Sequence, residues 1–199
     1  MMRWYWAAAA LACALLTAGT RALRWQGGPE SMRAGTPGAA ESGGDLFSRH
    51  LIERPKKAVR AEPFQAIPIN PAARGPGLAD YAGQYILLNF WATWCEPCKI
   101  EMPELQALYQ ALKTKNLVVL AVSMQEDAEK VRKFLETARY GFPVYADPDG
   151  KVAALYGVES IPLTYLIRTD GMIEGRALGP RSWNDPELRA YFQAQAAAK

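Results

Sequence analysis

The amino-acid sequence predicts an α/β sandwich whose sheet is parallel in its first part and antiparallel at its end. Three observations carry this. "YILLNF" (85–90) and "LVVLAVSM" (117–124) are continuous apolar runs of strand length, as expected of strands covered on both faces. Between them, "KIEMPELQALYQALK" repeats its apolar residues at helical spacing. Near the end, "PLTYLI" and "MIEGRAL" flank "RTDG", a hairpin signal that makes the last strand pair antiparallel.

The other elements fall into place around these. "EDAEKVRKFLETAR" reads as an amphipathic helix opened by acidic residues. "FPVYAD" is a short strand and "GKVAALYGV" a short helix. "NDPELRAYFQAQAA" closes the chain as a helix, with Asn184 or Asp185 able to cap it and Pro186 in its first turn.

The front of the chain has a different character. Residues 1–24, "MMRWYWAAAALACALLTAGTRALR", hold an apolar run from Trp4 to Ala18, shorter than the about 20 residues of a membrane span. They read as a signal peptide or an uncleaved membrane anchor, with Arg21 and Arg24 following the run. Either way the destination is the periplasm or the export side of the inner membrane. Cys13 lies inside this run and is read as a small apolar residue. Residues 25–61 are Gly, Pro, Ser, Ala and charge without periodicity, expected to be a disordered linker. Residues 62–199 are then the folded domain.

Charge and histidine content narrow the function. Up to Ala61 there are nine Lys/Arg against four Asp/Glu; from Glu62 onward there are 14 against 16. The folded part is mildly acidic, which argues against a nucleic-acid platform. His50 is the one histidine and sits in a polar stretch where solvation is expected, so a His-rich metal cage or a Cys-His dyad within the core is excluded.

The remaining two cysteines form "WCEPC", at the end of a predicted buried strand and the start of a helix. Three readings compete. Zinc wants four ligands, and the folded part offers no further thiol and no imidazole. A static disulfide closing so short a loop stabilises little. Redox chemistry uses both features of the site. A helix N-terminus stabilises a thiolate, and the two-residue spacing lets the second sulfur resolve a mixed disulfide. Cys95 is accordingly expected to be the exposed attacking sulfur and Cys98 the covered resolving one, with the Cys95–Cys98 dithiol as the redox centre and no separate cofactor or metal.

"LLNFWATWCEPCKIEMP" resembles the active-site segment of the thioredoxin superfamily, and within it the TlpA/ResA-like thiol-disulfide oxidoreductases. The similarity continues through "YGVESIPLTYLIRTDGMIEG" and covers about Leu78 to Phe192. It implies a thioredoxin-like fold, a central mixed sheet flanked by helices, behind the N-terminal signal or anchor and the flexible linker. It also implies that Pro162 is a cis-proline facing the cysteines, although only about 5–6% of X-Pro bonds are cis. By the same resemblance the Ile161 backbone pairs with an extended substrate segment, and Pro103 lies within the active-site helix, the alternative being a separate helix that starts after the cysteines. Asn89 stands where thioredoxin keeps a buried Asp. Glu101 matches a glutamate that this family places beside the active site, where a half-buried carboxylate could relay protons or hold substrate; the alternative is an ordinary solvated helix charge.

Trp94, Glu96 and Pro97 are expected at the substrate surface, with Trp91 packed beneath. Glu96 opposes the helix terminus electrostatically and so should keep the Cys95 thiol toward the upper part of the about 3.5–7.5 range of helix-terminal cysteines, the mark of a reducing couple.

The implied function is a protein-disulfide reductase acting on envelope proteins such as apocytochrome c or the copper-site cysteines of oxidases. It would be re-reduced by a membrane thiol donor of the DsbD/CcdA kind and tethered by the N-terminal segment. Two other readings fit the sequence less well. A peroxiredoxin-like peroxidase needs Pro-x-x-x-Thr-x-x-Cys, where this chain has Leu88 and Ala92. A copper chaperone of oxidase assembly could use two soft thiolates for Cu(I), but its relatives space the cysteines more widely and add a histidine.

Overall fold

In the computed structural model of the chain, which describes residues 45–197, six strands form one mixed sheet. In chain order they are β1 (Ile67–Pro68), β2 (Tyr85–Trp91), β3 (Leu117–Met124), β4 (Val144–Asp147), β5 (Leu163–Ile167) and β6 (Ile173–Leu178). The helices are α1 (Leu46–Arg49), α2 (Glu96–Leu112), α3 (Ala128–Ala138), α4 (Lys151–Leu155) and α5 (Pro186–Ala197). Spatially the strands run β1-β4-β3-β2-β5-β6. β2, β3 and β4 are mutually parallel, while β5, β6 and β1 join antiparallel. This is the parallel-then-antiparallel mixed sheet flanked by helices that the sequence predicts.

β2 shows why its residues read as an unbroken apolar run. Tyr85, Leu87 and Trp91 face a core shared with α2, α3 and α5. Ile86, Leu88 and Phe90 face a second core with Phe64, Tyr81 and the α4 residues Val152 and Ala153. Every residue of the strand is buried. The one polar residue, Asn89, is thereby placed at the centre of the sheet with no access to water.

α2 starts at Glu96 and continues through Pro103 to Leu112, so a separate second helix is not formed. Proline has no N–H to bond the carbonyl four residues back, and packing of Met102, Leu105 and Leu108 into the core holds the helix together across it. α5 is capped by Asp185, whose Oδ1 accepts the Glu187 N–H at 2.8 Å.

The predicted linker needs correction at its C-terminal end. Residues 45–61 belong to the folded unit: α1 inserts Phe47 into the core, Ile52 is buried beside it, and Glu53 exchanges two 2.8 Å backbone hydrogen bonds with Arg176 of β6. Few apolar residues in a polar stretch gave no periodic signal, yet two suffice because β6 leaves room for them. A Cβ on Gly175 would lie 2.8 Å from Ile52 Cγ2 and 3.1 Å from the Phe47 ring. His50 is half-buried rather than free in solvent: its Nε2 lies 3.2 Å from Oε2 of the exposed Glu187. The predicted signal or anchor, Cys13, and linker residues 25–44 lie outside the described residues. Among those described, no helix is long and apolar enough to cross a membrane.

Candidate active site

The strand β2 ends in a tight turn, Ala92-Thr93-Trp94-Cys95, closed by the Cys95 N–H donating to the Ala92 carbonyl at 3.2 Å. Cys95 is the N-cap of α2, and its sulfur is bonded to that of Cys98, three residues on. The Cys98 N–H, one of the orphan donors of the helix start, points at Cys95 Sγ at 3.3 Å. The expectation of an exposed Cys95 is corrected: it is 5% exposed, against 1% for Cys98. The Cys95 sulfur is bonded to that of Cys98 and meets the Cys98 N–H at the helix start. Its neighbours Trp94, Glu96 and Pro97 are all exposed, so the sulfur lies just below the surface. Glu96 is not an isolated charge, since Lys99 holds it at 2.6 Å.

One turn further along α2, Glu101 is 2% exposed, more deeply buried than the half-buried position predicted. The Asn89 amide donates to its Oε1 at 2.8 Å, and the Arg181 backbone N–H to its Oε2 at 3.2 Å. The same Asn89 nitrogen donates to Thr164 Oγ1 at 3.0 Å, tying the carboxylate to β5. Burial pushes the Glu101 carboxyl from 4.5 up to about 7. Opposing it are the Trp183 indole N–H, the Arg181 charge and backbone N–H, and the Asn89 amide. The Trp183 N–H acts only electrostatically, as it makes no hydrogen bond of standard geometry. A carboxyl that changes charge near neutrality is thus held behind the cysteine pair.

The Ile161–Pro162 peptide bond is cis. Leu163 pairs with Phe90 across the β5–β2 ladder, so Pro162 enters the sheet level with Trp91, at the end from which the cysteine turn departs. Ile161 is half-buried and Pro162 buried. Trp94 is 61% exposed and Ile100, on the outer face of α2, 67%. Trp91 is fully buried against Phe134, with ring centroids 5.4 Å apart.

Residues 71–176 match the AhpC/TSA family, 106 of the 199 residues. Thiol-disulfide oxidoreductase ResA of Geobacillus thermodenitrificans is 32% identical over 146 residues, 73% of this chain and 84% of the relative. The chain belongs to the ResA-type thiol-disulfide oxidoreductases of the thioredoxin superfamily. ResA of Oceanobacillus iheyensis is 43% identical over 97 residues, 49% of this chain and half of the relative's length. The crystal structure of StoA from Bacillus subtilis superposes with a TM-score of 0.55 at 27% identity, covering 67% of this chain and 97% of that one.

Several residues of this ResA-type site escape sequence reading. Arg181 and Trp183 reach Glu101, and Thr164 reaches its partner Asn89, only through tertiary contacts across the sheet and its far loop. Arg181 also gathers the start of the domain. Its guanidinium donates to the carbonyls of His50, Leu51, Leu178 and Gly179. Glu126 reads as one of the acids opening α3, but its carboxylate turns inward onto Thr93, two residues before Cys95.

Proposed function

We propose that this chain is a protein-disulfide reductase of the export side, with Cys95 as its attacking sulfur and Cys98 as its resolving one. The observation that carries the reading is the bonded Cys95–Cys98 pair at the start of α2 with the buried Glu101 carboxyl one turn behind it.

In the dithiol form the Cys95 thiolate attacks one sulfur of a substrate disulfide, forms a mixed disulfide and expels one substrate thiolate. The Cys98 thiolate then attacks Cys95 Sγ, expels the second substrate thiolate and forms the internal disulfide. Two electrons pass to the substrate. Cys98 must lose a proton for the second step, and Glu101, ionising near neutrality, is matched to receive it. Asn89 has no basicity for this and serves to orient the carboxylate. The exposed Trp94 and the Ile161 backbone beside Pro162 offer an apolar contact and a strand-like edge to an incoming polypeptide.

The direction of electron flow follows from Glu96. Its charge next to Cys95 limits thiolate stabilisation by the helix terminus, and its pairing with Lys99 moderates that effect. On this reading the couple lies below the roughly −180 mV of protein disulfide isomerase, and the negative charge of Glu96 supports it. Apocytochrome c or oxidase copper-site cysteines are fitting substrates, and a membrane thiol donor of the DsbD/CcdA kind would regenerate the dithiol. The test is insulin-disulfide reduction: Cys95→Ser abolishes it, and Cys98→Ser accumulates a mixed disulfide with substrate. Activity surviving Cys95→Ser would falsify the assignment.

A further inference from the structure

Glu126 lies at the mouth of α3, where acidic side chains normally face water. Its neighbours Asp127 and Glu129 do so, and Asp127 is the N-cap. Glu126 instead is 4% exposed. All its acceptor capacity is taken. Oε2 accepts the Thr93 backbone N–H at 2.6 Å and the Ser123 hydroxyl at 2.7 Å. Oε1 accepts the Thr93 hydroxyl at 2.5 Å and pairs with the Lys130 ammonium at 2.7 Å. Burial favours its neutral form, but Lys130, Thr93 and Ser123 together outweigh this and hold it ionised. A buried carboxylate gripping both the backbone and the side chain of a single residue is a specific device, because an apolar residue of similar size would fill the same space without choosing an orientation.

The residue it grips is decisive. Thr93 is the second position of the turn Ala92–Cys95, between the buried Ala92 and the 61%-exposed Trp94. A turn of this length has few degrees of freedom. With its ends fixed by β2 and by the Cys95 N–H···O=C Ala92 bond, holding residue 93 at two atoms sets the direction in which residue 94 leaves the surface.

We propose that Glu126 is a positioning residue of the thiol-disulfide reaction, clasping Thr93 so that Trp94 is presented to polypeptide disulfides beside Cys95. The inference rests on the reading of Cys95 as the attacking sulfur. It assigns Glu126 and Thr93 to substrate docking, not to the sulfur chemistry itself, because Cys95 is separately fixed by its capping place on α2.

The experiment compares two reactions of the same variants, reduction of insulin with dithiothreitol as electron source and reaction of the reduced protein with the small disulfide 5,5′-dithiobis(2-nitrobenzoate). Glu126→Gln places an amide N–H against donors, and Thr93→Val removes the hydroxyl without changing shape. Each should raise the insulin KM at least about three-fold with kcat held within about two-fold, and leave the small-disulfide rate constant within about two-fold. Thr93→Ser, which keeps the hydroxyl, should restore the parental KM. A parental insulin KM in Thr93→Val overturns the proposal. So does an equal loss in both reactions, which would mean that the clasp acts through the general fold. Cys95→Ser, run alongside, must lose insulin reduction; if it does not, the functional reading itself falls, an outcome separable from either of these.

Discussion

The Asn89 amide, at the centre of β2, donates a 2.8 Å hydrogen bond to the Glu101 carboxylate on α2, and both side chains are withdrawn from water. A neutral amide orients this carboxylate without neutralising it, so burial is free to set its proton affinity. That relationship has measurable consequences.

The first concerns stability against pH. The folded protein holds the Glu101 proton up to about pH 7, whereas the unfolded chain releases it near 4.5. Folding therefore takes up a proton in that window. The associated stability is fully present below the unfolded value and lost as pH rises through the folded one, by about 3 kcal/mol at most. Urea unfolding of the oxidised protein from pH 4.5 to 8 should show this decline, and Glu101→Gln should flatten it. A parent and variant with the same slope would place the titration elsewhere.

The second concerns Arg181. Its charge draws the Glu101 carboxyl downward, opposing burial, while its backbone N–H bonds the carboxylate whatever side chain it carries. In Arg181→Met the 13C NMR titration midpoint of the Glu101 carboxyl should move to higher pH. An unmoved midpoint would show that the guanidinium acts only as a clamp on the carbonyls of residues 50, 51, 178 and 179.

The third concerns the start of the folded unit. Phe47 is 1% exposed, packs edge-on against Tyr191 with centroids 5.4 Å apart, and carries the Arg54 guanidinium 3.8 Å from its ring centre. Phe47→Ala should cost about 3 kcal/mol in equilibrium unfolding with cooperativity retained. A change under about 0.5 kcal/mol, the size of an ordinary surface substitution, would return residues 45–53 to the status of a linker.

How far the chain can be read without its structure depends on the range of the interactions involved. β2, β3 and the hairpin of β5 and β6 are written in runs of neighbouring residues, because burial on one or both faces of a strand imposes a local composition. The cysteine pair at the N-terminus of α2 is equally local: spacing, helix start and redox chemistry all lie within four residues. Contacts between distant parts of the chain leave no such trace. Phe47 and Ile52 look like stray apolar residues in a polar stretch until Gly175, more than 120 residues later, is seen to make room for them. Glu101 and Glu126 look alike as acids on helices near the site. The sheet and its loops turned both inward, leaving one a carboxyl that titrates near neutrality and the other a clasp whose proton affinity is lowered, because a charge's behaviour is set by which donors surround it in space.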